Sequence, residues 1–575
     1  MKKLFSYLKD YRKESILGPL FKLLEAALEL IVPLVVAAII DNGIARGQDG
    51  RGYIVRMCLV LVALGLVGLL CSVTAQYFAA KASVGFTKKL RHALFAHIQG
   101  FSYQTLDTVG TSTIITRMTS DMNQVQTGLN LTLRLLLRSP FVVFGAMIMA
   151  FTVDSRAALW FAAAIPVLSV VVFGIMLISM PLYKKVQQLL DKVLGMTREN
   201  LTGVRVIRAF GKEQQETADF NRQNEALTAE QKHVGRISAL MNPVTYVIIN
   251  LAILCLIYTG AIRVDAGIIT QGAVVALYNY MSQILVELIK LANLIINITK
   301  AVACGKRIQT VLEIPSGEVQ DTQFEKEASP YRVEFRHVGL RYAGAGAESL
   351  TDISFAVRPG ETVGVIGGTG AGKTSLVNLI PRFYVATDGA VLIDGQDVRG
   401  MDVSALRARI GVTPQKAVLF KGSIRDNLRW GNEDATDADI LRAVQTAQAD
   451  DVLSAKGGLD AQIEQNGRNL SGGQRQRLTI ARALVRKPDI LILDDSASAL
   501  DFATDAALRK ALKALPEKPT VFIVSQRTSS IQHADQIIVL EDGAVAGIGT
   551  HQKLLESCQV YREIYDSQFK KEARA

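Results

Sequence analysis

Two halves of unlike chemistry are expected from this sequence: an all-α half of six membrane-spanning helices, then an α/β half. Three observations carry the expectation. Long uncharged stretches recur in the chain as far as Val286. A polar stretch with Pro315, Gly317 and Pro330 then interrupts it, and beyond that break the apolar runs shorten to strand length and meet glycine-rich turns.

The chain of 575 residues is too long for one small module, and with 49% apolar and 20% charged residues it is not a disordered polymer. Cys58, Cys71, Cys255, Cys304 and Cys558 are scattered without ligand-like spacing, so neither a disulfide framework nor a zinc site is expected. The net charge of +11 is compatible with a nucleic-acid partner, but membrane proteins also collect Lys and Arg on their cytoplasmic loops. The positions of the charges decide.

Met57–Ala80, Ala157–Tyr183, Ile237–Ile262 and Ala266–Val286 are each long enough to cross ~30 Å of hydrocarbon as helix. Ser15–Ile40, which contains Glu25 and Glu29, and the short run between Arg138 and Asp154, with Pro140 near its start, complete the set. The loop after the second span carries Lys81, Lys88, Lys89, Arg91 and Arg117, and the loop after the fourth carries Lys184, Lys185, Lys192, Arg205 and Arg208. Both are therefore cytoplasmic, and their helical composition implies that the spanning helices continue beyond the bilayer. The segment Met1–Lys13 mixes Lys2, Lys3, Lys9, Arg12 and Lys13 with Leu4, Phe5, Leu8 and Tyr11, the pattern of an amphipathic helix on the inner leaflet rather than of a cleaved signal. The expected organisation is residues 1–13 as that surface helix, 14–313 as the membrane domain, 314–330 as linker and 331–575 as the second domain. A lipid bilayer accounts for most of the positive balance, and no nucleic-acid partner is expected.

Glu361–Ile366 reads as a short buried strand. It runs into Gly367-Gly368-Thr369-Gly370-Ala371-Gly372-Lys373-Thr374 and an apolar helix beginning near Ser375, a complete phosphate-binding loop in its proper context. Glycines let backbone N–H groups wrap phosphate oxygens, the helix N-terminus adds its dipole, Lys373 supplies a point charge, and Thr374 offers a hydroxyl to Mg²⁺. Ile490–Asp494 is an apolar run ending in a carboxylate, as suits a central parallel strand delivering a Mg²⁺ partner at its C-terminal edge. Leu470-Ser471-Gly472-Gly473-Gln474 precedes the helical stretch Arg475–Val485 and exposes backbone donors at a second helix start. Two such devices in one domain point to nucleotides shared across a dimer. If the second half uses ATP, both chain ends belong in the cytosol and the number of crossings is even.

On these residues the chain resembles an ABC transporter half of the exporter type, six membrane helices followed by one nucleotide-binding domain, which implies an α/β P-loop ATPase fold with a helical subdomain, and the likeness covers nearly the whole length. The resemblance implies ATP and Mg²⁺ as ligands and assigns roles by position. Tyr342 matches the aromatic that stacks on adenine, Gly367 to Ser375 the phosphate cradle, Thr374 and Asp494 the Mg²⁺ ligands, and Gln415, in Thr413-Pro414-Gln415, the glutamine sensing γ-phosphate and Mg²⁺. Ser471, Gly473 and Gln474 belong to the signature that closes over the partner's ATP in the family's head-to-tail dimer, and Ser498-Ala499-Leu500-Asp501 to the loop that crosses the dimer. Thr105–Asp121 and Leu201–Phe210 resemble the two intracellular stretches whose short helices press on the nucleotide-binding domains.

Two positions depart from the family pattern. After Asp494 the family has a glutamate that polarises the attacking water, and this chain has Asp495, one methylene short. In Val524-Ser525-Gln526-Arg527 the family has a histidine on the γ-phosphate, whereas Gln526 donates a neutral hydrogen bond and cannot become cationic. Misplacement by ~1 Å costs ~10²-fold in rate. The site built on Lys373, Asp494 and Asp495 is therefore expected to bind ATP and hydrolyse it poorly, while the intact Leu470–Gln474 completes an active site on a partner. The expected partner is a second, non-identical ABC half-transporter, giving a heterodimer.

In the last span Asn279, Gln283 and Glu287 lie four apart on one helical face, with Lys290 following, and Glu25 and Glu29 are one turn apart in the first. They read either as a cavity wall drawing cationic or amphipathic substrates, or as a structural pair of Glu287 with Lys290 together with Glu25 and Glu29 sitting near an interface. The expected activity is ATP-driven export of an amphipathic drug, lipid or peptide across a bacterial plasma membrane, with the N-terminus and ATPase domain cytoplasmic. An ATP-gated or regulatory membrane protein without net pumping is the alternative.

Overall fold

Apolar runs too long for strands become helices. In the computed structural model, which describes residues 4–317 and 326–569, a 3₁₀ turn over Leu4–Tyr11 leads into α1 (Arg12–Ala38) and α2 (Arg51–Gln99). Lys2, Lys3 and part of the expected linker lie outside the described residues. Then follow α3 (Tyr103–Val109), α4 (Thr111–Thr116), α5 (Met122–Leu135), α6 (Arg138–Val153), α7 (Ser155–Thr202), α8 (Val204–Ala209), α9 (Glu213–Ala239), α10 (Met241–Asp265) and α11 (Gln271–Glu313). One unit consists of Met1–Ile98 and Ser112–Ile314, the other of Gln99–Thr111 and Pro315–Ala575.

Among the described residues five helical runs are long and apolar enough to cross a membrane by length and composition, and the first, Leu4–Gln99, holds both α1 and α2. These two helices run antiparallel: Glu14 pairs with Lys81, Lys22 donates to Ser72, and Gly43 abuts Ile54. The apolar residues are inverted relative to a water-soluble bundle. Leu59, Val62, Leu66, Leu69, Leu70 and Val73 of α2 are all exposed, while small residues such as Ala146, Ala150, Ala157 and Ala276 are buried around Phe161 and Tyr280. Lipid as solvent gives that arrangement, because helix contacts there rest on close packing. α11 begins at Gln271 and not at Ala266, since Thr270 takes extended backbone and its Oγ1 accepts from Ala273 N. The stretch 105–121 is likewise broken: Gly110, at φ +77°, separates α3 from α4.

The second unit contains β1 (Val333–Leu340), β2 (Leu350–Val357), β3 (Thr362–Gly367), α12 (Lys373–Leu379), β4 (Asp388–Ile393), β5 (Gln396–Asp397), α13 (Val403–Ala408), β6 (Ile410–Thr413), β7 (Gly422–Ser423), α14 (Ile424–Arg429), α15 (Asp437–Thr446), α16 (Asp450–Lys456) and β8 (Gln462–Ile463). It ends with α17 (Gly472–Val485), β9 (Ile490–Asp494), α18 (Phe502–Lys513), β10 (Thr520–Val524), α19 (Thr528–Ile531), β11 (Gln536–Glu541), β12 (Ala544–Gly549), α20 (His551–Ser557) and α21 (Gln559–Phe569). The main sheet has the order β12-β11-β3-β10-β9-β6, with all pairings parallel except β11–β12. Every residue of β9 and β10 is buried, as a parallel strand covered on both faces requires. A second, antiparallel sheet runs β2-β1-β4-β5. Residues 99–111, which the sequence reading places in the membrane half, pack with this unit through aromatic contacts: the Tyr103 ring stacks on Phe383 at 4.3 Å, and Tyr384 Oη donates to Asp107 Oδ2 at 2.5 Å.

Candidate nucleotide site

Four adjacent parallel strands, β3, β10, β9 and β6, end on one edge of the main sheet, and each delivers one part of a site. The glycine-rich loop follows β3, Gln526 follows β10, Asp494 and Asp495 stand at the end of β9, and Gln415 follows β6. The carboxyl edge of an open parallel sheet is where such folds bind ligands. Residues 369–375 line a cavity of about 520 Å³ together with Gln415, Asp494, Asp495 and Gln526. A larger crevice of about 650 Å³ beside α18 is lined by Lys510, Lys513 and His533 and holds none of these groups.

The loop conformation demands its glycines. Gly372 sits at φ +92° as the N-cap of α12, and a Cβ there would stand 2.8 Å from Ser349 O. α12 therefore starts at Lys373, two residues ahead of the sequence expectation. Lys373 Nζ donates to Gly367 O at 3.0 Å and Gly368 O at 2.6 Å, so its ammonium rests on loop carbonyls. Burial pulls its pKa down, against the charges of Asp495 and Asp494. Thr374 Oγ1 lies 3.1 Å from both oxygens of Asp494, a carboxylate only 5% exposed. Burial pushes the Asp494 pKa up and the nearby Asp495 adds to this, while the Thr374 bond works the other way. Hydroxyl, carboxylate and amide oxygens form the hard donor set that Mg²⁺ prefers, so the residues present fit a Mg²⁺–nucleotide.

Asp495 takes the left-handed backbone at φ +46°, and its N–H donates to Val524 O at 3.0 Å. Aspartate tolerates that conformation better than most residues. Tyr342 stands beside the cavity, its hydroxyl 2.9 Å from Ser375 Oγ and its ring edge-on to Tyr384. Ser471 caps α17 in a reciprocal box with Gln474: Gln474 N donates to Ser471 Oγ at 3.2 Å, and Ser471 N donates to Gln474 Oε1 at 3.0 Å. Neither they nor Gly473 line the cavity above. Asp501 caps α18 by accepting from Thr504 N at 2.8 Å, which holds its carboxyl below the usual range. Sequence reasoning missed Ser349 and the Asp542-Gly543 turn, which also line the cavity.

In the membrane unit, Asn279, Gln283, Glu287, Lys290 and Glu29 line a cavity of about 450 Å³. Glu25 is not among its lining residues and pairs with Lys22 at 2.5 Å. Glu287 is a compensated acid. Arg138 donates to Glu287 Oε1 and to Glu29 Oε2, both at 2.6 Å, Ser139 Oγ donates to Glu287 Oε2 at 2.9 Å, and Lys290 pairs with Glu287 at 2.8 Å. The expected ion pair of Glu287 with Lys290 forms, Arg138 adds a second cation, and Glu287 lines the cavity at the same time.

The chain matches the family described as "ABC transporter transmembrane region" over residues 15–288 and that described as "ABC transporter" over residues 350–498. It is 36% identical over 573 residues to the uncharacterized ABC transporter ATP-binding protein YfiB of Bacillus subtilis (strain 168), covering 100% of this chain and 99% of that protein. It is 30% identical to the putative multidrug export ATP-binding/permease protein YgaD of the same organism, with 99% of each covered. Its fold matches that of a bacterial Atm1-family ABC exporter with ATP bound, at a TM-score of 0.81 and 24% identity, over 97% of this chain and 98% of that one. With a membrane region and an ATP-binding region joined in one polypeptide, this chain belongs to the ABC transporter family.

Proposed function

We propose that the chain is one half of an ATP-driven exporter, crossing a bacterial plasma membrane six times with its N-terminus and ATPase domain in the cytosol, and moving an amphipathic drug, lipid or peptide outward. Thr374, Gln415 and Asp494 would hold Mg²⁺, which supplies counter-charge to the phosphates, and Tyr342 would face the adenine. The site grips ATP through Lys373 and the loop amides. Its hydrolysis is slow, because Asp495 is a methylene shorter than a glutamate and Gln526 brings no positive charge. The signature around Ser471, Gly473 and Gln474, with Asp501, serves a partner's nucleotide in a heterodimer.

One observation carries this reading: an intact phosphate loop shares its cavity with Asp495 and Gln526, while the capped start of α17 does not line that cavity. α3, with Asp107 bound to Tyr384, supports a relay from nucleotide closure to the membrane helices. The decisive measurement is ATPase and vesicle transport of the purified chain alone and with its co-purifying half-transporter. The lone chain should turn over slowly and the pair briskly. Fast hydrolysis and transport by the lone chain would sink the heterodimer.

A further inference from the structure

We propose that Gln568, on α21, is a positioning residue that holds the loop bearing Gln526 in place at the nucleotide site. The inference rests on the reading of Gln526 as a γ-phosphate contact. α21 is a firm support, since Tyr561 is fully buried with its hydroxyl 2.7 Å from His551 Nδ1, and the rings of Tyr565 and Phe569 pack at 4.6 Å. From that helix the Gln568 amide grips both sides of the loop after β10. Its Nε2 donates to Gln526 O at 2.7 Å, and its Oε1 accepts from Thr528 N at 2.9 Å and from Thr528 Oγ1 at 2.7 Å. An uncharged amide can donate and accept at once from one plane, which this bracket requires. Thr528 is fully buried, so the acceptor half works in a low-dielectric setting where hydrogen bonds are strong.

The rest of the loop is pinned from the opposite side. Ser525 N donates to Val365 O at 3.1 Å, and the Arg527 guanidinium donates to Ser498 O and Leu500 O, each at 3.1 Å. Gln526 lines the nucleotide cavity, and its carbonyl is held by Gln568. A helix outside the cavity thereby sets where Gln526 stands.

The test uses the full chain in nanodiscs and the affinities of Mg²⁺ with the fluorescent N-methylanthraniloyl derivatives of ATP and ADP. The ratio of the two reads the γ-phosphate contact alone. Gln568→Ala should cut the preference for triphosphate by about three- to tenfold, the worth of one or two hydrogen bonds, and leave ADP affinity unchanged. Gln568→Glu still accepts from Thr528 but cannot donate to Gln526 O, and should reproduce that loss. A double variant with Gln526→Ala should lose no more than Gln526→Ala does alone. Equal weakening of ATP and ADP together with a lowered melting temperature would make Gln568 merely structural and overturn the proposal. So would Gln568→Glu behaving as wild type. If Gln526→Ala itself leaves the preference unchanged, the reading of Gln526 has failed. If it lowers the preference and neither Gln568 variant does, only the positioning role has failed.

Discussion

Asp494 and Glu287 are almost equally hidden, at 5% and 3% exposure, yet their surroundings are opposite. Glu287 is met by Arg138, Lys290 and Ser139, and Arg138 is shared with Glu29, so the acid is balanced within the chain. Asp494 has the hydroxyl of Thr374 and, among the described residues, no cation at ion-pair distance. A buried charge is costly unless paired. Where the chain supplies the partners, the acid fastens helices together; at Asp494 only the more distant charge of Lys373 works against burial and the neighbouring Asp495, which leaves room for a cationic ligand. Burial of an acid therefore says little about function, and the state of its balance says much.

The largest effect expected from this contrast is on stability. Glu287→Ala leaves Arg138 buried with half its pairing gone, and removal of one member of a buried pair costs about 3–5 kcal/mol. Thermal denaturation in detergent should register it clearly. Asp494→Asn should leave the melting temperature of the nucleotide-free chain unchanged or higher, and should abolish the extra stabilisation that Mg²⁺–ATP confers. Equal losses from both substitutions would break the comparison. A second expected effect concerns rate. On the proposed reading of Asp495 as a shortened glutamate, Asp495→Glu adds the methylene, and single-turnover hydrolysis at this chain's own site should rise by as much as ~10²-fold. No gain would place the limit on Gln526 or, in the proposed heterodimer, on the partner's signature. Gln526→His in the Asp495→Glu background then separates those two.

Much of the site was legible because its parts are local patterns anchored to strand ends. The loop from Gly367 to Thr374, the apolar run ending at Asp494, and Gln415 after Thr413 each announce themselves within a few residues, and β3, β9 and β6 bring them to one edge. What stayed hidden depends on contacts between distant segments. Asp542-Gly543 reads as a hairpin turn between β11 and β12, but only the sheet order carries that turn to the phosphate loop. The ion pair of Glu287 with Lys290 follows from helical spacing, whereas Arg138 is 149 residues away and no periodicity points to it. The helix boundaries missed at Gln271 and Lys373 were set by a Thr270 cap and a left-handed Gly372, both local and both readable in retrospect. Gln568 left no trace in the sequence, since a single amide on a helix face acquires meaning only when a loop stands opposite it.

The smallest expected effect is on pH dependence, and its sign follows from Asp494. Burial holds this carboxyl above its ordinary value of 3.8. The folded chain therefore binds the proton more tightly than the unfolded chain does. Its contribution to stability is fully present below pH 3.8 and is lost as pH rises through the raised folded-state value. Other carboxylates titrate in the same window, so the quantity to follow is the difference in melting temperature between wild type and Asp494→Asn. That difference should move against the wild type as pH rises through the window. Adding Mg²⁺–ATP should reverse it, because the ligand brings the positive charge that the proton supplied at lower pH. A difference that is flat in pH, or that Mg²⁺–ATP leaves untouched, would mean that Asp494 is balanced from within the protein, as Glu287 is, and the contrast between the two acids would disappear.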